Sequence, residues 1–437
     1  MDHMNYETNI PNYRMILGIL YGVGININRI LGKGIFNLDI IFKLVSPGIA
    51  LVLFAFCAII SLLGGLIYNE LGIRSLPHGI GEQKYITDAY PKERNLGHVF
   101  SYVIIFIILP GAMVADSYNC SQYILFVFRG YFNNDYDYIA VIISVLILLV
   151  ITLYHVFSKR LPDIINLALA VIKVISLIII SMIGLVRLAG TDSDNWNNIF
   201  NTSSNFDAYG FGAYGNGLIQ ILYAYEGWNS VNYLIEEITI PESNNLVYPS
   251  HILKYSSLIS IAISFLLYFF TNAAFITVLG NGLTRNEDIP IALRFGKELL
   301  DGTGEKLMSI IVAISSFGSV SIMSLKKKIL DKMDKVPDNE NANDKNKPFS
   351  ISKYIILFYF LIIILIIIAS LFPPEYGNVE YLIPYIISCV ATILSFIFWY
   401  YLNPNQNERS DNENEEPNVQ VNEVKGEVNI SFNNEIK

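Results

Sequence analysis

Long apolar runs follow one another along most of this 437-residue chain, and short polar or charged segments separate them. A membrane-spanning α-helix needs about 20 consecutive apolar residues, whereas the strands of a membrane barrel alternate apolar and polar positions over about ten residues. The runs in this chain are continuously apolar, so they predict an all-α polytopic membrane protein. Ten spans are predicted, at residues 14–42, 46–68, 96–128, 138–156, 164–186, 218–241, 253–279, 307–325, 351–372 and 381–402.

Two of the predicted spans are interrupted. The interruption of the first span consists of Gly32, Lys33 and Gly34, followed by Ile35. The interruption at the centre of the sixth span consists of Glu226, Gly227, Trp228 and Asn229. Backbone polar groups in a bilayer core must be satisfied, so a helix broken at that depth lines a cavity or holds a ligand. Because the breaks lie five spans apart, they predict an inverted five-helix repeat whose half-helix ends meet at mid-membrane.

The two breaks together suit a zwitterionic ligand. N–H groups freed between Gly32 and Ile35 suit a carboxylate, and carbonyl groups released around Tyr225 to Gly227 suit an ammonium group. An amino acid satisfies both at once. The alternative for the first break is a flexible, poorly helical membrane segment. The aromatic side chains near the second break either cover an amphipathic ligand or fill the core; they are Tyr223, Tyr225 and Trp228.

Three charged side chains inside the predicted spans are candidates for a functional role. Lys173 lies ten residues from Asp163 and fourteen from Arg187, which places it about 15–20 Å along the helix from either end. It is either a cation that takes the place of a coupling ion or a structural bridge between helices. Asp116 either faces the bundle interior or is a packing residue near a helix end. Glu226 either provides proton linkage together with Lys173 or forms a static bridge.

Composition agrees with a membrane protein and narrows its partners. Apolar residues make up 53% of the chain, charged residues 15%, and the mean hydropathy is +0.45. Of the formal charge of −9, the tail from Asn403 supplies −5, with eight acidic and three basic side chains. Nucleic acid is therefore not an expected partner. Cys57, Cys120 and Cys389 all lie in apolar runs, without metal-ligand spacing, so we predict no disulfide framework, no metal site and no cofactor.

Basic residues predict the topology. They lie at 74–94, 159–160, 254 and 326–335, and with ten spans all of these segments fall on one side, which is the cytoplasm by the positive-inside rule. Both termini are then cytoplasmic. The predicted divisions are an N-terminal tail (1–13), a core of eight spans (14–325), a charged cytosolic linker (326–350), two C-terminal spans (351–402) and an acidic disordered tail (403–437).

Several motifs carry a family resemblance, in order along residues 12–322. They are GKGIF at 32–36, YNELG at 68–72, ILPGAMVADSYNCSQYIL at 108–125, IKVISLIIISMIGLV at 172–186, ILYAYEGWNSVNYLIEE at 221–237 and NAAFITVL at 272–279. The most specific is the string of the sixth span. Together they resemble the amino acid–polyamine–organocation superfamily, in particular its L-type amino acid transporter and fungal high-affinity methionine permease-like group.

The resemblance implies a LeuT-like fold, amino acid substrates, alternating access and a place in the lipid of the plasma membrane. Several residues match the family's substrate site. Gly32, Lys33, Gly34 and Ile35 match its carboxylate-binding break, Tyr223 matches its aromatic gate, and Gly227 and Asn229 match positions that line the second break. Lys173 matches a lysine that stands where sodium-coupled relatives bind sodium. The resemblance therefore disfavours sodium coupling.

The chain departs from the family pattern in three places. The residue between the two glycines is usually small, and here it is Lys33. The family usually has twelve spans, whereas this chain passes from Ser321 into KKKILDKMDK and then to what resemble the last two spans. The second repeat is therefore predicted to lack its last two helices. Residues 129–138 contain no cysteine, so a heavy subunit linked by a disulfide is not expected.

The leading hypothesis is a secondary transporter, a permease or exchanger, for neutral L-amino acids. The alternative is a transport-dead family member that acts as an amino acid sensor or as a partner of a full-length transporter. An enzyme is a distant third, because the sequence has no Ser/His/Asp set, no metal-spaced His/Cys cluster and no phosphate-binding loop.

Overall fold

The computed structural model describes residues 12–36, 41–42, 45–75, 81–89, 95–128, 136–158, 160–190, 193–197, 199–200, 211–233, 247–284, 289–333, 351–370 and 383–402. Within these ranges the chain forms helices and no strand, as the apolar pattern predicts. The predicted N-terminal tail before residue 12, most of the predicted linker and the acidic tail lie outside them.

The helices are long and mostly apolar. Their bounds are α1 (Asn12–Ile30), α2 (Pro47–Ser75), α3 (Glu82–Ala89), α4 (Asn95–Val103), α5 (Leu109–Val127), α6 (Tyr136–Phe157), α7 (Leu161–Ala189), α8 (Phe211–Tyr225), α9 (Val247–Leu279), α10 (Ile291–Met333), α11 (Lys353–Ser370) and α12 (Ile383–Leu402). A π-helical turn, Ile104–Ile108, joins α4 to α5 directly before Pro110. The missing N–H of that proline removes one helical hydrogen bond, and a π-turn accommodates such an irregularity.

Among the described residues, six helices are long and apolar enough to cross a membrane: Pro47–Arg74, Val99–Val127, Asp137–Phe157, Leu161–Ala189, Ser250–Leu279 and Ile291–Leu325. Three shorter apolar helices accompany them, Met15–Ile30, Lys353–Ala369 and Tyr385–Leu394. The predicted first and sixth spans do not each form one long helix, because α1 ends at Ile30 and α8 at Tyr225.

Both of these helix ends fall at the predicted interruptions. After α1 the chain makes a single 3-10 turn, Lys33–Ile35. After α8 it turns at residues 226–229 and becomes helical again at 230–233. In this second turn Gly227 has a φ of +130°, a conformation that residues with a side chain rarely adopt. The residue types at the interruptions therefore end the helices locally.

Helix α10 extends beyond the predicted eighth span. The charged linker is predicted from residue 326, and the apolar part of α10 ends at Leu325, but the helix itself continues through Met333. Its last residues, KKKILDKM, are good helix formers, and the charge that indicates a solvated linker does not stop a helix. α10 is also irregular near its start, where Leu300 and Asp301 have non-helical dihedral angles and Asp301 has a φ of +50°.

Helix packing follows a repeated pattern around the two broken helices. α1 packs against α7 and α9, and α7 and α9 pack against each other. α8 packs against α11 and α2, and α11 and α2 also pack against each other. α2 further packs on α9, and α5 packs on α10. Each broken helix therefore lies beside two unbroken ones, and the breaks sit at the centre of the bundle.

Candidate functional site

The two helix breaks lie directly against each other. α8 packs against the 3-10 turn Lys33–Ile35. This close approach depends on Gly34, because a Cβ atom there would lie 2.6 Å from both Cα and Cβ of Ala224 in the last turn of α8. Ile35 is completely buried beside it. The structure therefore brings together the two interruptions that the sequence predicts far apart in the chain.

Lys173 supplies a hydrogen bond that the first break removes. The carbonyl groups in the last turn of a helix have no intrahelical partner. A continuous helix would pair Asn28 O with the N–H of Gly32, but that N–H donates to Ile30 O at 2.7 Å. Lys173 Nζ donates to Asn28 O at 2.6 Å instead. The lysine of α7 thus caps the end of α1, where the helix dipole favours a cation.

Tyr268 of α9 joins the carbonyl ends of both broken helices. Its hydroxyl oxygen lies 2.6 Å from Ile30 O and 2.8 Å from Ala224 O, so it can donate its hydrogen to either. The sequence pattern does not distinguish this residue from other tyrosines. A tyrosine in an apolar span is ordinary, and only the arrangement of three helices reveals what its hydroxyl contacts.

We expect Tyr268→Phe to lower stability, because phenylalanine keeps the ring and removes only the hydroxyl. The carbonyl groups of Ile30 and Ala224 then lose a donor in a buried place, at a cost of about 1–3 kcal/mol. The measurement is the midpoint of thermal unfolding of the purified protein in detergent. Tyr354→Phe, at an exposed position of α11, is the control. Equal midpoints for the two variants would contradict the bridging role of Tyr268.

Arg29 occupies the centre of the site. Its Nη1 atom lies 3.3 Å from Asp116 Oδ2 and also donates to Ser319 Oγ. Its Nη2 atom forms an ion pair with Glu226 Oε2. Ser319 Oγ in turn donates to Asp116 Oδ2 at 2.9 Å, and the Tyr223 hydroxyl donates to Asp116 Oδ1 at 3.5 Å. One guanidinium group thereby connects α1, α5, α10 and the turn after α8.

The sequence pattern points to Asp116 and Glu226 but not to Arg29, the cation that pairs with both of them. Arg29 lies in an apolar segment only three residues before the first break. A buried carboxylate needs a cationic or hydrogen-bonding partner. An arginine inside an apolar segment is therefore the feature of the sequence that indicates such a partner. Asp116, with a side chain only 1% exposed, faces the bundle interior and is not a packing residue at a helix end.

The aromatic and acidic residues of the second break differ in exposure. Tyr223 is 41% exposed, and the side chain of Glu226 is 44% exposed. Tyr225 is fully buried, and its ring centre lies 5.1 Å from that of Tyr268 and 6.3 Å from that of Phe54. The Tyr225 ring therefore fills the core, whereas Tyr223 and Glu226 form the open side of the site.

Asn229 and Trp228 contact residues other than Arg29 and its ion-pair and hydrogen-bond partners. Asn229 Nδ2 donates to Glu82 Oε1 at 3.1 Å, where α3 begins. The Trp228 ring packs edge-on against Tyr68 of α2, with ring centres 5.0 Å apart. These two predicted site residues thus hold the turn against α2 and α3 and are not gathered around the guanidinium.

α3 also holds the helical segment that follows the second break. Asn232 Nδ2 donates to the Tyr85 hydroxyl at 3.4 Å. Burial raises the pKa of Tyr85, so its hydroxyl is protonated and neutral at physiological pH. The position of α3 therefore influences the geometry of the second break.

Gly32 lies beside Ser319, a hydrogen-bond partner of Arg29, since a Cβ atom on Gly32 would be 3.3 Å from Ser319 Oγ. Lys33 follows in the 3-10 turn, and the place of its side chain lies outside the described part of the structure. Within that part, no group of three His, Cys, Asp or Glu side chains is arranged to hold a metal ion. The described site is thus built from backbone groups, one ion network and two capping side chains.

Comparison with known proteins identifies relatives of the chain. A family model described as amino acid permease matches residues 17–325. The "Large neutral amino acids transporter small subunit 2" of Mus musculus is 27% identical over 310 residues, which cover 70% of this chain and 55% of the relative. The "b(0,+)-type amino acid transporter 1" of Mus musculus is 27% identical over 322 residues, which cover 72% of this chain and 61% of the relative.

The same transporter of Homo sapiens is 26% identical over 318 residues and is also covered to 61%. The matches thus span between 55% and 61% of the length of these relatives. They confirm the resemblance to the L-type amino acid transporter group, and all of them are named as transporters and not as enzymes. Together with the apolar helices, they make the chain a multi-pass membrane protein. Because the family model matches more than half of its residues, the chain belongs to the amino acid permease family of the amino acid–polyamine–organocation superfamily.

Proposed function

We propose that the protein is a secondary transporter that moves neutral L-amino acids across the plasma membrane by alternating access, without sodium coupling. The observation that carries this proposal is the meeting of two broken helices at the centre of the bundle, with Gly34 against Ala224. Broken helices that face each other bind substrate in many secondary transporters, because their ends present unpaired backbone groups.

In this proposal the substrate carboxylate binds the N–H groups that follow Gly32 in the turn to Ile35, because the Gly32 N–H itself donates to Ile30 O. The substrate ammonium binds the carbonyl groups of Tyr225 and Glu226, because Gly227 O already accepts from the N–H of Ser230. The exposed Tyr223 covers the ligand. An apolar or neutral side chain suits a site flanked by aromatic rings, and one relative is named as a transporter of large neutral amino acids. At the edges of this binding site we expect the side chains of Lys33, Trp228 and Asn229.

The packing pattern supports an inverted five-helix repeat. Two neighbours of α1, namely α7 and α9, correspond to the neighbours of α8, which are α11 and α2. When two helices are related by a two-fold axis and both lie near it, they pack on each other. α2 and α9 pack in this way, and so do α5 and α10. In this correspondence α11 takes the place of the fifth helix of the second repeat. We therefore propose that α11 completes that repeat beside α8 and is not the family's penultimate span.

Sodium independence rests on Lys173. Its amino group is buried, and it donates to Asn28 O beside the break. A resident ammonium group there supplies the positive charge that a bound sodium ion would supply. Both termini are proposed to be cytoplasmic, and no disulfide-linked heavy subunit is expected, because residues 129–138 contain no cysteine.

The test is uptake by purified protein in liposomes. Radiolabelled neutral, acidic and basic amino acids are supplied with and without a proton gradient, in sodium and in choline buffers, and protein-free liposomes are the control. We expect saturable uptake or exchange of neutral amino acids that is equal in the two buffers. Absence of uptake and exchange for every amino acid would overturn the proposed transport, and dependence on sodium would overturn the proposed role of Lys173.

A second candidate is a transport-dead relative that senses amino acids or assembles with a full-length transporter. The observation that favours it is that the match to the family model ends at residue 325, whereas two more apolar helices, Lys353–Ser370 and Ile383–Leu402, follow in this chain. Calorimetric binding of an amino acid in detergent, combined with absence of flux in liposomes, would support this function. Flux above that of protein-free liposomes would exclude it.

A further inference from the structure

We propose that the Arg29–Glu226 ion pair occupies the amino acid site when it is empty, and that the substrate inserts between the two side chains. The substrate carboxylate then takes the place of Glu226 on Arg29, and the substrate ammonium pairs with the released Glu226 carboxylate. This inference rests on the proposed function, and it assigns two side chains to a site otherwise made of backbone groups.

The two terminal nitrogen atoms of Arg29 have unequal surroundings. Nη1 faces Asp116, whose side chain is 1% exposed, and Ser319. Nη2 faces Glu226, whose side chain is 44% exposed. A partner that water already reaches costs less to displace than a buried one. Arg29 is therefore anchored through Nη1, and Nη2 is the side on which partners can exchange.

The Arg29 side chain lies between the surroundings of the two breaks. Ser319 Oγ accepts a hydrogen bond from Arg29 and is also 3.3 Å from the position of a Cβ atom on Gly32. On the other side, a Cβ atom on Gly227 would be 2.8 Å from Cβ of Arg29. Arg29 thus contacts the surroundings of both breaks. A substrate carboxylate bound to Nη2 of Arg29 would therefore lie close to the backbone of the first break and to the turn after α8.

The charges of the pair match those of a zwitterion. Arg29 and Glu226 together carry no net charge, and neither does an amino acid. Insertion leaves each of the four charges next to one of opposite sign. A carboxylic acid without an amino group would separate Glu226 from its cation and give it no new partner. An amino ester would leave Nη2 of Arg29 without an anionic partner, while Nη1 keeps Asp116. Breaking an ion pair without replacing one of its partners is unfavourable, so the site prefers ligands that carry both groups.

Asp116 cannot serve as the ammonium partner in the same way. Arg29, Ser319 and Tyr223 all donate to its two oxygen atoms. It is also buried, whereas Glu226 lies in the turn itself. Glu226 is therefore the carboxylate that is free to change partners.

The test compares three ligands with matched side chains: L-leucine, L-leucine methyl ester and isocaproate, which is leucine without its amino group. Binding to the purified full chain in detergent is measured by calorimetry and by competition with radiolabelled leucine. We expect the wild-type protein to bind leucine more tightly than either analogue.

Glu226→Gln gives the decisive result, because it removes the resident carboxylate that competes for Arg29. We expect isocaproate to bind this variant about tenfold more tightly than it binds the wild type, while leucine binds more weakly and the preference for leucine disappears. A gain in affinity cannot arise from partial unfolding. Glu70→Gln is the control, since Glu70 also pairs with an arginine, Arg74, but away from the breaks; its ratio of leucine to isocaproate affinity should equal that of the wild type.

Arg29→Lys provides a second measurement. A single ammonium group cannot hold Asp116 and a second carboxylate with the fork geometry of a guanidinium. We expect weaker binding of leucine and unchanged binding of its methyl ester. Unchanged isocaproate affinity in Glu226→Gln, or an equal loss for leucine and its ester in Arg29→Lys, would show that the pair is only structural. If the wild-type protein bound and transported no amino acid, the proposed function itself would be wrong.

Discussion

Replacement of Gly227 by valine is expected to abolish amino acid uptake and to lower the yield of folded protein. Gly227 has a φ of +130°, and forcing a residue with a side chain into such a conformation costs about 1–3 kcal/mol. A Cβ atom at this position would also lie 2.8 Å from Cβ of Arg29 and 3.1 Å from the backbone nitrogen of Ile30. Valine therefore pushes the turn after α8 away from the end of α1.

The matched control is Gly217→Ala in the same broken helix. Gly217 lies within α8, and nothing lies within 4 Å of the position of its Cβ atom. Alanine is favoured over glycine inside a helix by roughly 1 kcal/mol, so this variant should fold and transport like the wild type. Uptake into liposomes and the thermal unfolding midpoint are measured for both variants. Wild-type uptake by Gly227→Val would mean that contact between the two breaks is not needed for transport.

The helix breaks could be predicted from the sequence because their causes are local. The glycines at the two breaks favour a local departure from the helix, and both interruptions appear in the structure within a residue or two of the prediction. The charge of the predicted linker does not specify its secondary structure. A lysine-rich segment can be helical, as α10 is through Met333.

The partners within the site could not be predicted, because they belong to helices distant in sequence. Arg29 becomes central only when Asp116 of α5 and Glu226 lie on either side of it. Tyr268 becomes a bridge only when α1 and α8 end beside α9. Asn229 is predicted to face the substrate, yet its amide bonds to Glu82 of α3, a short helix that the apolar pattern does not predict.

Together these contacts divide the site into fixed and exchangeable parts. Tyr268 and Lys173 hold carbonyl groups at the helix ends and are buried. Glu226 and Tyr223 are partly exposed and lie at the turn. Substrate affinity should therefore depend mainly on the exposed pair and on Arg29, whereas the movement of α1 relative to α7 should depend on the capping side chains.

That division gives an expected result for Lys173→Ala: uptake is lost while substrate binding is largely kept. The substitution leaves Asn28 O without its donor, and a hydrogen bond from a charged group is worth about 1.5–3 kcal/mol. Asn28 itself stays attached to α7, because its Nδ2 atom donates to Asn166 Oδ1 at 3.1 Å. The exposed residues of the site therefore keep their positions in the described conformation.

Transport requires more than this one conformation. In the proposed alternating-access cycle α1 moves between two states. The carbonyl end of α1 must then keep a donor in both states, because an unpaired carbonyl group in a dry environment is unfavourable. Without Lys173 the conformation in which that carbonyl is best hydrated becomes favoured, and the cycle stops there. Lys173→Met, which preserves most of the side-chain volume, should show the same loss and thereby separates the missing donor from a packing defect.

The measurements are leucine affinity by calorimetry and initial uptake rate in liposomes, with Lys353→Ala at an exposed position of α11 as control. For both Lys173 variants we expect affinity within about threefold of the wild type, a change of less than 1 kcal/mol, and uptake near that of protein-free liposomes. Equal retention of binding and transport would contradict the capping role, because the carbonyl end of α1 would then need no cation at any stage of the cycle. Equal loss of both would place Lys173 among the residues that shape the binding conformation itself.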